Sequence, residues 1–338
     1  MVDLSTDWLG LQLRSPLVVG ASPLCDDTAA ARRLVDAGAG AVVLHSLFEE
    51  QLVADQLAAH RFFDSYVDTN AEARSFLPDT EVFAVGAAPI LNRITQLQSA
   101  LDVPVVASLN GITPGGWTVF ARYLERAGAD AVELNLYDIA TDLDETGEQI
   151  ESRQAEVVSE VVGAVTIPVS VKLSPFYASV PAFVARLERA GAAGVVLFNR
   201  FYQPDIDLET LDVDRRLVPS TNAELPLRLH ALAILHGRTS LDLASSGGVH
   251  HGTDAAKAIL SGATVVQMVS ALLADGPHHL ERIHTELTTW LDDHGYATLV
   301  EARGATGLDN VADRRGWERL NYARVLQGWQ PRPERRQP

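Results

Sequence analysis

The stretch Tyr123-Leu-Glu-Arg-Ala-Gly-Ala-Asp-Ala-Val-Glu-Leu-Asn135 reads as a helix end, a glycine cap and a short strand. The phrase recurs as Arg33-Leu-Val-Asp-Ala-Gly-Ala-Gly-Ala-Val-Val-Leu-His45 and as Arg186-Leu-Glu-Arg-Ala-Gly-Ala-Ala-Gly-Val-Val-Leu-Phe-Asn199. A fourth copy runs Ala258-Ile-Leu-Ser-Gly-Ala-Thr-Val-Val-Gln-Met268. In each, the glycine supplies the left-handed residue that closes a helix. The strand that follows is mostly apolar, as strands covered on both faces are.

Four more apolar runs lie between these copies: Pro16-Leu-Val-Val-Gly-Ala-Ser22, Pro104-Val-Val-Ala-Ser108, Pro168-Val-Ser-Val-Lys172 and Leu241-Asp-Leu-Ala-Ser245. Proline is tolerated at the first position of a strand. The eight strands fall near residues 16–21, 41–45, 104–108, 131–136, 168–173, 194–199, 241–246 and 264–269, mostly with helical patterns between them. That alternation predicts an α/β fold of the TIM (β/α)8 barrel type. Long excursions at 46–103, 137–167 and 200–240 then fall on the C-terminal face. An open doubly wound sheet is the alternative, but no Gly-x-Gly-x-x-Gly follows an early strand.

Composition narrows the function. The chain has 338 residues, 47% of them hydrophobic, which suits one large barrel or two ordinary domains. Its net charge of −17 argues against nucleic acid and anionic membrane as partners. One cysteine, Cys25, excludes an internal disulfide and a cysteine-held iron–sulfur cluster, and it is expected to pack as a small apolar residue. Residues 1–14 lack the layout of a signal peptide and no run is long and apolar enough to span a bilayer, so the expected place is the cytoplasm. The 27 cations include only two lysines, Lys172 and Lys257. Lys257 reads as surface.

The strand ends carry the polar residues: Ala21-Ser22, His45-Ser46, Ser108, Asn135, Lys172, Asn199, Ser246-Gly247-Gly248 and Ser270. Catalytic groups of such barrels come from these ends. Strands that simply end polar account for Ser and Asn singly. They account poorly for Lys172, whose ammonium within Val-Ser-Val-Lys-Leu asks for an anion. Gly247-Gly248 after strand seven and Ser270 at a helix start after strand eight suit a phosphate. A phosphate there, a lysine at strand five and amides at strands four and six fit FMN, whose reduced ring carries negative charge.

These residues resemble the dihydroorotate dehydrogenase family. The likeness rests on Leu9-Gly-Leu with Ser15-Pro-Leu-Val-Val-Gly-Ala-Ser22, on Glu133-Leu-Asn-Leu136, on Val171-Lys-Leu-Ser-Pro175, and on Ser246-Gly-Gly-Val with Asp254-Ala, Gly262-Ala and Val266-Gln267. It implies a flavin barrel that oxidises dihydroorotate to orotate in pyrimidine biosynthesis. FMN would be held by Ala21, Ser22, Ser108, Asn135, Lys172, Asn199, Gly247, Gly248 and Ser270. The family's Cys or Ser base after the Leu-Asn-Leu motif is replaced: the stretch here is Asn135-Leu-Tyr-Asp138. His45 stands where the family has a lysine, and Arg200 follows Asn199 where the family has Ser or Thr. The expected catalytic residues are therefore Asp138, Lys172 and His45. A related flavin oxidoreductase with another substrate stays open, as do a flavin-free phosphate-binding lyase or isomerase and a non-catalytic FMN binder.

Other groups weigh less. Asp138 also suits a helix cap, and Arg200 and Arg228 either bind a substrate carboxylate or sit on the surface, the reading favoured for Arg228. The His250-His251 pair has no carboxylate at ligand spacing, so no metal is expected. The loop from Asn110 to Trp117 suits either a ligand cover or a plain connection. The expected organisation is a barrel over 1–300 and a basic aromatic extension over 301–338. Residues 314–338 hold seven Arg and two Glu, a composition suited to docking within the chain or onto a second subunit. A small-molecule substrate, a soluble electron acceptor or redox partner protein, and a homodimer complete the expectations.

Overall fold

A computed structural model describes residues 2–48, 82–110, 114–137, 139–200, 205–214, 218–311 and 313–328. Eight parallel strands form its centre: β1 (Leu17–Ser22), β2 (Ala41–Leu44), β3 (Val105–Asn110), β4 (Ala131–Asn135), β5 (Val169–Leu173), β6 (Gly194–Leu197), β7 (Asp242–Ser246) and β8 (Val265–Met268). Each pairs with the next, β8 pairs with β1, and the sheet closes on itself. The helices between them are α1 (Thr28–Asp36), α2 (Val82–Ala100), α3 (Pro114–Arg126), α4 (Gly147–Ala164), α5 (Val180–Arg189), α6 (Leu225–Leu235) and α7 (Gly252–Leu260). This is a TIM (β/α)8 barrel, and the doubly wound alternative falls on the closing β2–β3 pair, Val42 opposite Val105 and Val43 opposite Val106.

The repeated phrase explains the outer layer. Gly38, Gly128, Gly191 and Gly262 all take positive φ at the helix ends that the sequence marked. Beyond each cap the strand residues alternate. Val132 and Leu134 face the helices with Val169, Val171 and Leu173, whereas Ala131 joins the inner cluster with Val18, Val43, Val106, Val196, Ala244 and Val265. The inner cluster is closed at the N-terminal end by a hairpin, Thr6–Trp8 with Leu11–Leu13, whose Trp8 is fully buried. Leu9 N donates to Asp242 Oδ2 at 2.6 Å and pins the hairpin to the first residue of β7.

By the same alternation, the next inward positions are polar: Ser108, Glu133, Asn135, Lys172 and Gln267. The barrel therefore has an apolar floor and a polar upper storey, and the second of these faces the mouth. Beyond β8 run α8 (Ser270–Asp275), α9 (Pro277–Asp293), α10 (Leu299–Ala302) and α11 (Arg314–Gln327). The chain past α10 is tied to α7: Gly304 N donates to Ile259 O at 3.0 Å and Thr306 N to Leu260 O at 2.9 Å. Much of α11 is exposed, including Leu320, Tyr322, Val325 and Leu326. Among the described residues, no helix is long and apolar enough to cross a membrane.

Candidate active site

Lys172 lies near the end of β5, inward by alternation and in register with Asn135 on β4. Only 7% of it is exposed. Its Nζ stands 3.3 Å from Glu133 Oε1, and the other carboxylate oxygen, Oε2, accepts from Gln267 Nε2 at 2.6 Å. Glu133 and Gln267 are both fully buried. The anion that the lysine requires is thus supplied by the protein itself. What points to a ligand is the position of Lys172 at the mouth, not an unmet charge.

Beside it, Asn199 Nδ2 donates to Asn135 Oδ1 at 2.8 Å, which brings the ends of β4 and β6 together across β5. At β3, Ser108 Oγ lies 2.8 Å from Ser46 Oγ. Ser22 Oγ donates to Gly20 O at 2.9 Å, turning the end of β1.

A cavity of 160 Å³ opens next to Lys172. Ala21, Asn199, Gly247, Gly248 and Ser270 line it, so six of the nine residues expected to hold a cofactor share one space. The other three, Ser22, Ser108 and Asn135, sit at the ends of the strands around it. Gly247 and Gly248 take φ of +90° and +82°. A Cβ on Gly248 would fall 2.6 Å from Leu225 N, so the turn cannot carry a side chain there. Ser220 closes the space from the excursion after β6: its N–H donates to Ser270 Oγ at 2.9 Å, and Gly248 N–H points to its Oγ at 3.4 Å. The helix that Ser270 opens is only six residues long, so the polar groups this space offers come from the turn and the two serines rather than from a helix dipole.

Arg228 corrects the sequence reading. It is not a surface charge: 5% of it is exposed, and Nε donates to Ser246 O at 2.9 Å while Nη1 donates to Glu224 O at 2.8 Å. An arginine inside the apolar run Leu225-Pro-Leu-Arg-Leu229 was the available signal. Glu133 and Gln267 were missed in the same way. Each is a polar residue in the middle of an apolar run, Glu133 two positions before the strand end Asn135 and Gln267 three before Ser270.

His45 is placed differently. It is exposed, and its Nδ1 lies 2.6 Å from Asp26 Oδ1 on the rim after β1. Asp138 lies outside the described residues, as do residues 111–113 of the Asn110–Trp117 loop. A second cavity, of 410 Å³, lies between the ends of β4 and β5. Leu136, Ile139, Gln154, Ser174, Phe176 and Tyr177 line it, and Tyr177 OH donates to Gln154 Oε1 at 2.8 Å. Cys25 is fully buried, and burial raises its thiol to about 12. Lys257 is exposed beside Asp254, as expected of a surface residue.

The sequence pattern of the dihydroorotate dehydrogenase family matches residues 3–291. The chain belongs to that family. It is 33% identical, over 216 residues, to a protein of Aeropyrum pernix provisionally named dihydroorotate dehydrogenase A (fumarate); the match covers 62% of this chain and 70% of that one. It is 24% identical to the catalytic subunit of dihydroorotate dehydrogenase B (NAD(+)) of Thermoplasma acidophilum, over 90% of this chain and 99% of the relative. It is 22% identical to the NAD-dependent dihydropyrimidine dehydrogenase subunit PreA of Escherichia coli, over 89% of this chain and 76% of the relative. The protein is therefore a dihydroorotate dehydrogenase-like oxidoreductase.

Proposed function

We propose that the protein is an FMN-dependent oxidoreductase that acts on a CH–CH group of a small ring substrate. One observation carries the reading: the Lys172 ammonium, the Asn135–Asn199 amide pair and the Gly247-Gly248 turn surround one cleft. The donor set fits the cofactor. Gln267 Oε1, buried and without a partner among the described residues, adds an acceptor beside the lysine. The glycine turn supplies backbone N–H groups with no Cβ in the way.

When bound, FMN supplies the acceptor for a hydride leaving the substrate carbon. Lys172 contributes a fixed positive charge where negative charge develops, in a site with little water to screen it. Glu133 and Gln267 hold that ammonium in place. Asn135 and Asn199 each have a donor and an acceptor, enough to read a pyrimidine edge. Asp138, three residues beyond Asn135, is the group we assign to the substrate proton. The barrel floor excludes water from below.

Dihydroorotate is the first candidate substrate, on the names of the Aeropyrum and Thermoplasma relatives. A different dihydropyrimidine is the second reading. It is favoured by Asp138 at the position where the family pattern has Cys or Ser, and by the likeness to a dihydropyrimidine dehydrogenase subunit. Electrons would leave to a soluble acceptor or a partner protein, and a homodimer is the proposed assembly. The test is a visible spectrum followed by anaerobic addition of dihydroorotate and, separately, dihydrouracil. We expect a flavin spectrum bleached by one of the two. A colourless protein that takes up no FMN overturns the cofactor, and bleaching by dihydroorotate alone removes the second reading.

A further inference from the structure

Arg228 is the one arginine of α6, whose other residues are apolar apart from His230. Its guanidinium is buried beside the Gly247-Gly248 turn, where a Cβ on Gly247 would lie 3.1 Å from Nη2. A buried guanidinium needs an anion. Two of its nitrogens meet only carbonyl oxygens, those of Ser246 and Glu224. The third, Nη2, is 3.6 Å from Glu224 Oε2. That carboxylate is shared, since its Oε1 lies 3.9 Å from Arg200 Nη2. Two guanidinium groups thus face one partly exposed carboxylate at the edge of the cavity, leaving one positive charge in excess among these three. Burial lowers the guanidinium's affinity for its proton, Glu224 opposes this, and Arg200 adds to it.

We propose that Arg228 binds the phosphoryl group of the ligand at the Gly247-Gly248 turn, and that Glu224 is the carboxylate that the phosphate replaces as its partner. The planar guanidinium suits a phosphoryl group, offering parallel donors that a lysine lacks. Gly247 has no Cβ to separate the group from the turn. Ser220 and Ser270 line the same space with hydroxyls. For the flavin this inference rests on the FMN reading; the phosphoryl site by itself does not.

The test uses the purified full chain, freed of bound flavin, and compares FMN with riboflavin by fluorescence titration. The wild type is expected to prefer FMN. Arg228→Met is expected to weaken FMN binding by roughly 10–100-fold, the worth of a hydrogen bond to a charged group, and to leave riboflavin binding unchanged. Glu224→Gln is expected to tighten FMN binding, again with riboflavin unchanged, which a merely structural carboxylate would not do. Equal loss of both flavins in Arg228→Met, or no loss of either, overturns the proposal. Should Arg228→Met fail to fold, Arg228→Lys keeps the charge and decides the matter by the same comparison. Inorganic phosphate separates this proposal from the cofactor reading. Phosphate that raises the Tm of the wild type but not of Arg228→Met, in a chain that binds neither flavin, upholds Arg228 and removes FMN. Phosphate that protects both chains equally, or neither, overturns the Arg228 assignment.

Discussion

Lys172 Nζ lies 3.3 Å from Glu133 Oε1 between adjacent strands, with 8% of the lysine side chain and none of the glutamate side chain exposed. The pair is the centre of the barrel's polar storey. Removing one partner leaves the other charge buried and unmet. Glu133→Leu is expected to cost about 3–5 kcal/mol of stability. Glu133→Leu with Lys172→Met replaces both charges by apolar groups and should recover most of that loss. Urea unfolding of the two single variants and the double variant measures the coupling directly. Additive losses would show that the pair does not act as a unit.

The glycine turn makes a second prediction. Gly248→Ala puts a methyl group 2.6 Å from Leu225 N and 2.9 Å from Leu225 Cα, at a φ of +82°. Backbone on both sides blocks relief, so we expect a loss of more than about 1 kcal/mol and weaker ligand binding, because the start of α6 must move. Gly163→Ala is the contrasting case. It lies in α4 with nothing within 4 Å of the added carbon, so a gain of about 0.5–1 kcal/mol is expected. Thermal unfolding of both variants gives opposite signs if the reasoning holds.

Cys25 should be inert in the native protein. With its thiol raised to about 12 by burial and, secondarily, by Asp26, only about one molecule in ten thousand carries the thiolate at pH 8. A colourimetric thiol reagent is expected to find no reactive group until urea is added, and one afterwards. Rapid labelling of the folded chain would contradict this.

Histidines His236 and His284 set part of the acid sensitivity. Burial lowers both from 6.5, and Arg303 and Arg14, respectively, lower them further; Asp309 partly opposes the shift at His236. Below about pH 6.5 the unfolded chain therefore takes up protons that the folded chain refuses, and stability falls as pH falls. Asp242, raised mainly by burial, works with the opposite sign. It holds its proton at pH values above 3.8, where the unfolded chain has released it, so its contribution favours the folded state as pH drops. Urea midpoints at pH 7.5 and 5.5 should converge in a His236→Gln, His284→Gln double variant. An unchanged difference would place the sensitivity elsewhere.

The fold was legible because each unit announces itself locally. A helix end, a glycine forced to positive φ and an apolar strand need only neighbours in the chain, and the four copies from Arg33, Tyr123, Arg186 and Ala258 all fold as read. The strand ends were legible for the same reason, since alternation fixes that Lys172 and Asn135 face inward. Tertiary structure decided what meets what. Glu133 and Lys172 are 39 residues apart, and Gln267 is 134 from Glu133; no local pattern sets that contact, which follows from strand register and barrel closure. Arg228 makes the same point. The sequence carried the charge but pointed to the surface, and only the packing of α6 against the β7 turn buried that charge beside Gly247. Local periodicity depends on backbone geometry within a few residues, whereas pairing buried charges depends on which strands the closed sheet makes neighbours.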